Sequence, residues 1–156
     1  MNQEKKYEKL FWSIALPGFG QLLNKKYVKG ILFILLEILI NVEGNLNEVI
    51  IYSFQRKIDS AIDSADYGWI MFYPCVYLFA MWDAFKDAGG GQSPFAFLPF
   101  VFAAFISTIG VIYSAKLPIF GVLWGPVFLP ILFIVIGLIV GNVIKYFLLR
   151  RLSAKR

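Results

Sequence analysis

Apolar residues in this chain fall in long, nearly unbroken runs, and the polar residues are gathered between those runs. A helix with one face in water instead repeats its apolar residues every three or four positions. Residues 95–113 and 127–149 reach the roughly 20 residues that a helix needs to cross a hydrocarbon core, and residues 31–51 and 67–85 are expected to span as well. Residues 10–23 are also apolar, but this run is short and is interrupted by Pro17, Gly18 and Gly20. A proline flanked by glycines breaks a straight helix. The segment is therefore expected to dip into the membrane and return, or to lie in its interface. In the alternative it crosses, which makes five spans and puts the amino terminus outside.

The one long polar stretch, residues 43–66, carries Glu43, Glu48, Asp59, Asp63 and Asp66 against Arg56 and Lys57. It is expected to be an acidic outer segment. Within it Ile51, Phe54, Ile58 and Ile62 recur at spacings of three and four, the mark of an amphipathic helix lying on the outer surface. Residues 86–94, with Gly89, Gly90, Gly91 and Pro94, read as a turn, and residues 114–126 are broken by Pro118, Gly121, Gly125 and Pro126. The expected fold is all-α: a polytopic transmembrane helical bundle of about four spans with a short re-entrant or interfacial N-terminal segment. It forms a single integral membrane domain over residues 1–156.

Composition strengthens this picture. The chain is 59% hydrophobic, above the about 45–50% of a soluble domain, with a mean hydropathy of +0.69. Its net charge of +5 sits at the edges of the runs: Lys5, Lys6 and Lys9, then Lys25, Lys26 and Lys29, then Lys145, Arg150, Arg151, Lys155 and Arg156. Basic residues flanking spans mark the cytoplasmic side, so both termini are expected there, with Lys116 as the exception. Lys25, Lys26 and Lys29 are expected to face lipid headgroups. No separate basic face is left for nucleic acid. Lys5 and Lys6 ahead of an apolar run imitate a signal peptide, but Pro17-Gly18-Phe19-Gly20-Gln21 is a poor cleavage site. The chain has no histidine and one cysteine, Cys75. The usual zinc, haem and Ser-His or Cys-His chemistry thus lacks its parts, and no cofactor, metal or catalytic group is expected.

Few residues stand out against the apolar background. Glu37 lies in mid-run with Asn41 one turn on. A carboxyl at membrane depth is costly unless neutral, paired or wetted, so Glu37 is a candidate proton or cation site, or a structural hydrogen-bond partner. Asp83 has Lys86 one turn on, and a tie to the Lys25, Lys26 and Lys29 cluster would pin two cytoplasmic ends together. Asp59, Asp63 and Asp66 share a helical face and read as a solvated surface. Gly121-xxx-Gly125 and Gly137-xxx-Gly141 permit close helix approach, and Gly137 and Gly141 mark a packing or self-association face. Finally, Leu16-Pro17-x-Phe19-Gly20-x-Leu22 is echoed by Leu117-Pro118-x-Phe120-Gly121-x-Leu123. The echo reads as coincidence among common apolar letters ahead of an inverted repeat of the transporter kind.

Two motifs punctuate the chain. Leu16-Pro17-Gly18-Phe19-Gly20-Gln21, followed by Lys29-Gly30, is matched by Asp83-Ala84-Phe85-x-x-Ala88. On these residues the chain resembles the two-transmembrane-domain family of small bacterial membrane proteins over about residues 12–88. The opening motif is also similar to the amino-terminal end of some sugar-importer permeases. The resemblance implies a helical pair in a bacterial cytoplasmic membrane, with Pro17, Gly18, Gly20, Gln21 and Gly30 as turn and packing positions, and it supplies no catalytic residues. The expected function is non-enzymatic: a membrane interaction or assembly module that contacts lipids and other membrane proteins or itself. A small transporter or channel subunit using Glu37 is the alternative. A membrane enzyme built on Asp83 with Lys86 or Lys29 ranks third, because the spacing specifies no reaction class.

Overall fold

The computed structural model describes residues 3–154, so Lys155 and Arg156 of the basic tail lie outside the described residues. The chain is all-α apart from one minimal hairpin. In order it forms α1 (Gln3–Ala15), α2 (Phe19–Leu23), α3 (Tyr27–Glu43), α4 (Leu46–Phe54), α5 (Ile58–Ser64), α6 (Tyr67–Ile70), α7 (Tyr73–Asp87), α8 (Leu98–Tyr113), β1 (Pro118–Ile119), β2 (Val122–Leu123) and α9 (Gly125–Ser153). Helices α7, α8 and α9 each carry a proline in the first turn, where the missing N–H has no helical partner to lose.

The expected spans are not four unbroken helices. Among the described residues only α9 is both long and apolar enough to cross a membrane by length and composition, and α8 is a shorter apolar helix. The run 31–51 is divided at Gly44 and Asn45. Asn45 adopts φ 52°, a left-handed conformation that asparagine tolerates better than most residues, and its amide donates to the Ser64 carbonyl at 3.2 Å. The run 67–85 is divided after Ile70, so that α6 ends before α7 begins. The amphipathic helix expected within 43–66 is likewise split. Arg56 at φ 62° separates α4 from α5, and the turn lets Phe54 meet Phe128 of α9 edge-on at 5.3 Å. Near the amino terminus helix begins at Gln3, well before residue 10, and stops at Ala15, where Leu16-Pro17-Gly18 turns the chain.

Helix α7 is the centre of the molecule, packed on α1, α2, α3 and α8, and α9 lies beyond α8. The α3/α7 pair is antiparallel, as its contacts show: Lys29 meets Asp83, Phe33 meets Phe79 with ring centroids 6.0 Å apart, and Glu37 meets Tyr73. These α3 residues are four apart and so stack on one face. At the far end α4, α6 and α8 close on Leu46, Ile70 and Val111.

The most extensive contact, α8 on α9, is made at backbone distance. A Cβ on Gly141 would sit 2.6 Å from the Pro99 Cα, and one on Gly137 would press on the Ala103 backbone and the Phe102 carbonyl, 2.6 Å away. Gly137-xxx-Gly141 thus serves packing within the chain, and the self-association face expected there is already covered by α8. Gly121-xxx-Gly125 is not a helical motif: Phe120 (φ 52°) and Gly121 (φ 78°) form the turn of the β1/β2 hairpin. The echoed Phe19 and Gly20 lie inside a helix, so the two copies fold differently.

Gly137→Ile is expected to force α8 and α9 apart and to lower the melting temperature in detergent, since overpacking costs about 1–3 kcal/mol. Ile139→Val, on the exposed face of the same helix, should leave it unchanged. Thermal melts of both variants beside the parent make the comparison.

Candidate functional site

The opening motif and the Asp83 motif meet at one place, where α2 lies across α7. The turn Leu16-Pro17-Gly18 works because Gly18 adopts φ 103°. Its position against α3 is equally tight: a Cβ on Gly18 would lie 2.8 Å from the Ile34 side chain and press on the Gly30 carbonyl. Gly20 rests on α7, with its missing Cβ only 2.6 Å from the Ala84 Cβ. Ala80 and Ala84, both fully buried, supply the flat face that admits this approach.

The close approach brings side-chain amides to the α7 backbone. Gln21, fully buried, donates to the Ala80 carbonyl at 2.8 Å and to Asp83 Oδ2 at 3.1 Å. Asn24, one turn on, donates to the Ala84 carbonyl at 2.7 Å. From α3 the Lys29 ammonium donates to Asp83 Oδ1 at 2.7 Å and to Asp87 Oδ2 at 3.0 Å. Asp83 thus accepts from two elements at once. The tie sketched from sequence is made by Lys29 alone among the three lysines of the cluster. Lys86 forms no ion pair among the described residues. Lys29 is correspondingly turned to the acidic pair rather than to lipid headgroups, because two carboxylates one turn apart on α7 hold it. Lys25 and Lys26 are exposed, and Lys25 adopts φ 60° in the turn before α3.

A second polar contact lies two turns further along α3. Glu37 is buried, and Oε1 accepts from the Tyr73 hydroxyl at 3.2 Å. Its Oε2 is buried with no hydrogen-bond partner. Asn41 does not join it: that amide donates to Asn47 Oδ1 at 3.2 Å. Tyr77 stacks on Tyr73 with centroids 5.5 Å apart, and its hydroxyl donates to the Ile14 carbonyl at 2.6 Å. That carbonyl is in the last turn of α1, where no helical N–H follows. Beside these tyrosines a cavity of about 320 Å³ opens between α1, α4, α7 and α9. Asp66 caps α6 by accepting from the Gly68 N–H at 2.8 Å. Among the described residues no group of three or more His, Cys, Asp or Glu is placed to hold a metal ion.

Three participants went unnoticed in the sequence. Asp87 carries a signal, four residues after Asp83 on one helix face. Asn24 lies three after Gln21, a weaker signal. Tyr73 as the partner of Glu37 carries none, because the pairing depends on how α3 and α7 are aligned. No family model matches the chain, and no curated protein or solved structure matches it.

Removing the Lys29 ammonium leaves Asp83 and Asp87 without their shared cation. The Lys29 side chain is 45% exposed, so screening keeps the expected loss of stability within about 1 kcal/mol. Thermal melts of Lys29→Met beside the parent should show a small drop at low salt that shrinks at high salt.

Proposed function

We propose that this chain is an integral protein of a bacterial cytoplasmic membrane. It crosses the bilayer several times and works without catalysis, as a module that holds contacts with other membrane proteins or with copies of itself. The observation that carries the reading is the outward-facing apolar surface. Only 22% of the most apolar window of α9 is buried. Helix α3 leaves Val28, Ile31, Leu35, Ile38 and Val42 exposed. Exposed apolar patches of this size mark contact with lipid or protein.

The reading takes α3, α7, α8 and α9 as the crossing helices. At 1.5 Å per residue α3 is about 26 Å long and α8 about 24 Å, a little under the about 30 Å of a hydrocarbon core. Modest bilayer thinning accommodates such a mismatch. The basic end, with Lys25, Lys26, Arg150 and Arg151, then faces the cytoplasm, and α4 to α6 with the β1/β2 hairpin face outward. In this reading Gln21, Lys29 and Asp83, which carry the resemblance to the two-transmembrane-domain family, serve with Asn24 as an internal lock, since all four bond within the chain. The unpartnered Oε2 of Glu37 favours a second reading, in which that carboxyl binds a proton or cation in a transporter or channel subunit.

Two outcomes are expected. First, the protein stays with membranes through alkaline carbonate washing; in a Cys75→Ser background, Phe120→Cys is labelled by an impermeant maleimide from outside and Ser153→Cys only after permeabilisation. Labelling of both from one side overturns the topology. Second, the pure protein in liposomes leaves proton and cation gradients intact, while cross-linking in native membranes yields a discrete adduct larger than the monomer. Gradient loss that Glu37→Gln abolishes would replace the assembly reading with transport.

A further inference from the structure

Beside the Asp83 lock, α7 carries a groove against α8, with a volume of about 590 Å³. Its walls are mostly aromatic, with Phe79 and Trp82 from α7 and Phe100 and Phe105 from α8. Phe79 and Phe105 are more than half exposed, so the groove is open to its surroundings. At one end α7 and α8 are joined by Cys75 Sγ and Thr108 Oγ1, 3.5 Å apart. At the other end stands Lys86, exposed and without an ion pair among the described residues. The neighbouring Asp83 and Asp87 are both engaged by Lys29 of α3.

Length and charge together select an occupant. From Cys75 to Lys86 the rise along α7 is about 16 Å at 1.5 Å per residue. That is close to half of the roughly 30 Å hydrocarbon core, the depth of one leaflet. The Lys86 end is also the basic end of the molecule. Lys29 pairs with Asp83 and Asp87 there, and α9 runs on past its Gly141 contact with Pro99 to end in Arg150 and Arg151 on the same side. An apolar slot one leaflet deep, ending at an unpaired cation, matches a molecule with a hydrocarbon chain and an anionic head.

We propose that the α7/α8 groove binds one anionic glycerophospholipid of the cytoplasmic leaflet, its acyl chain along Phe79 and Phe100 and its phosphate at Lys86. The proposal rests on the multi-pass reading above. Trp82 in the groove wall reports on it. The full chain with Trp12, Trp69 and Trp124 changed to Phe is placed in phosphatidylcholine vesicles, with either phosphatidylglycerol or phosphatidylcholine brominated on the acyl chains. The brominated phosphatidylglycerol is expected to quench Trp82 at about fivefold lower mole fraction, the preference that one basic side chain near a membrane surface supplies. Lys86→Gln should remove the preference, and Ala104→Leu, which fills the groove, should weaken quenching by both lipids. Equal quenching by the two lipids in the parent, or a preference that survives Lys86→Gln, overturns the site.

Native mass spectrometry of the chain with all four tryptophans gives a second reading. One retained phosphatidylglycerol per molecule, lost in Lys86→Gln, supports the proposal. No retained lipid, or a dimer free of lipid with a second copy in the groove, overturns it. Flotation of the same vesicles after carbonate washing separates the two failures. Protein that floats without the lipid preference loses only this site, whereas protein that fails to float loses the multi-pass reading itself.

Discussion

A polar group removed from water must find its partners inside the protein, and here that requirement falls on a single crossing of helices. Gln21 is fully buried, and its amide N–H donors find partners only because α2 lies near enough to α7 to reach a main-chain carbonyl and the Asp83 carboxylate. That distance depends in turn on Gly20 resting on Ala84 and on Gly18 passing close to Gly30. Small residues and polar donors therefore act as one device. The former permit the approach, and the latter make any larger separation costly, since an unsatisfied buried group loses about 1–3 kcal/mol. The ion pairs of Lys29 extend the device to α3 and fix which turn of α3 faces which turn of α7.

From this crossing the rest of the architecture follows by adjacency. With α7 held on one face by α1, α2 and α3, its opposite face is left for α8, and α8 is bound to α9 through glycines that bring the backbones together. The two seams use different physics. The α2/α7 seam is specified by directional hydrogen bonds, which tolerate one register. The α8/α9 seam is specified by shape, with Gly137 and Gly141 against Ala103 and Pro99, and its energy is dispersion at close range. The aromatic groove between α7 and α8 lies where the seams diverge, and neither glycine nor buried amide draws the helices together along it.

Glu37 and Tyr73 occupy a middle position. Their hydrogen bond belongs to the same antiparallel ladder as the Lys29–Asp83 pair and the Phe33–Phe79 contact, so it positions α3. It leaves one carboxyl oxygen unmatched, as the lock leaves Gln21 Oε1, whereas Asp83 uses both oxygens. A buried carboxyl that positions a helix and still carries an unfilled acceptor is the feature that keeps a transport reading in view.

How much was written in the linear chain can be judged residue by residue. The helical class, the apolar excess and the breaks at Pro17-Gly18 and at Gly89 to Gly91 are local properties, set by side-chain chemistry and backbone sterics, and they were legible. So was the importance of Gly20, Gln21, Gly30 and Asp83, because small and polar residues are conspicuous in an apolar background. The partners were not. Sequence offers Asp83 its neighbour Lys86 one turn on, whereas the fold delivers Lys29 from 54 positions away, since only the antiparallel alignment of α3 and α7 decides who meets whom. Helix lengths were misjudged for a similar reason. Asn45 and Arg56 stop helices by adopting left-handed conformations, and such conformations are stabilised by contacts made elsewhere, with Ser64 for the first turn and α9 beyond the second. The chain by itself determined which stretches avoid water. The tertiary structure decided how they are cut, paired and aligned, because pairing energy depends on distances that no single segment contains.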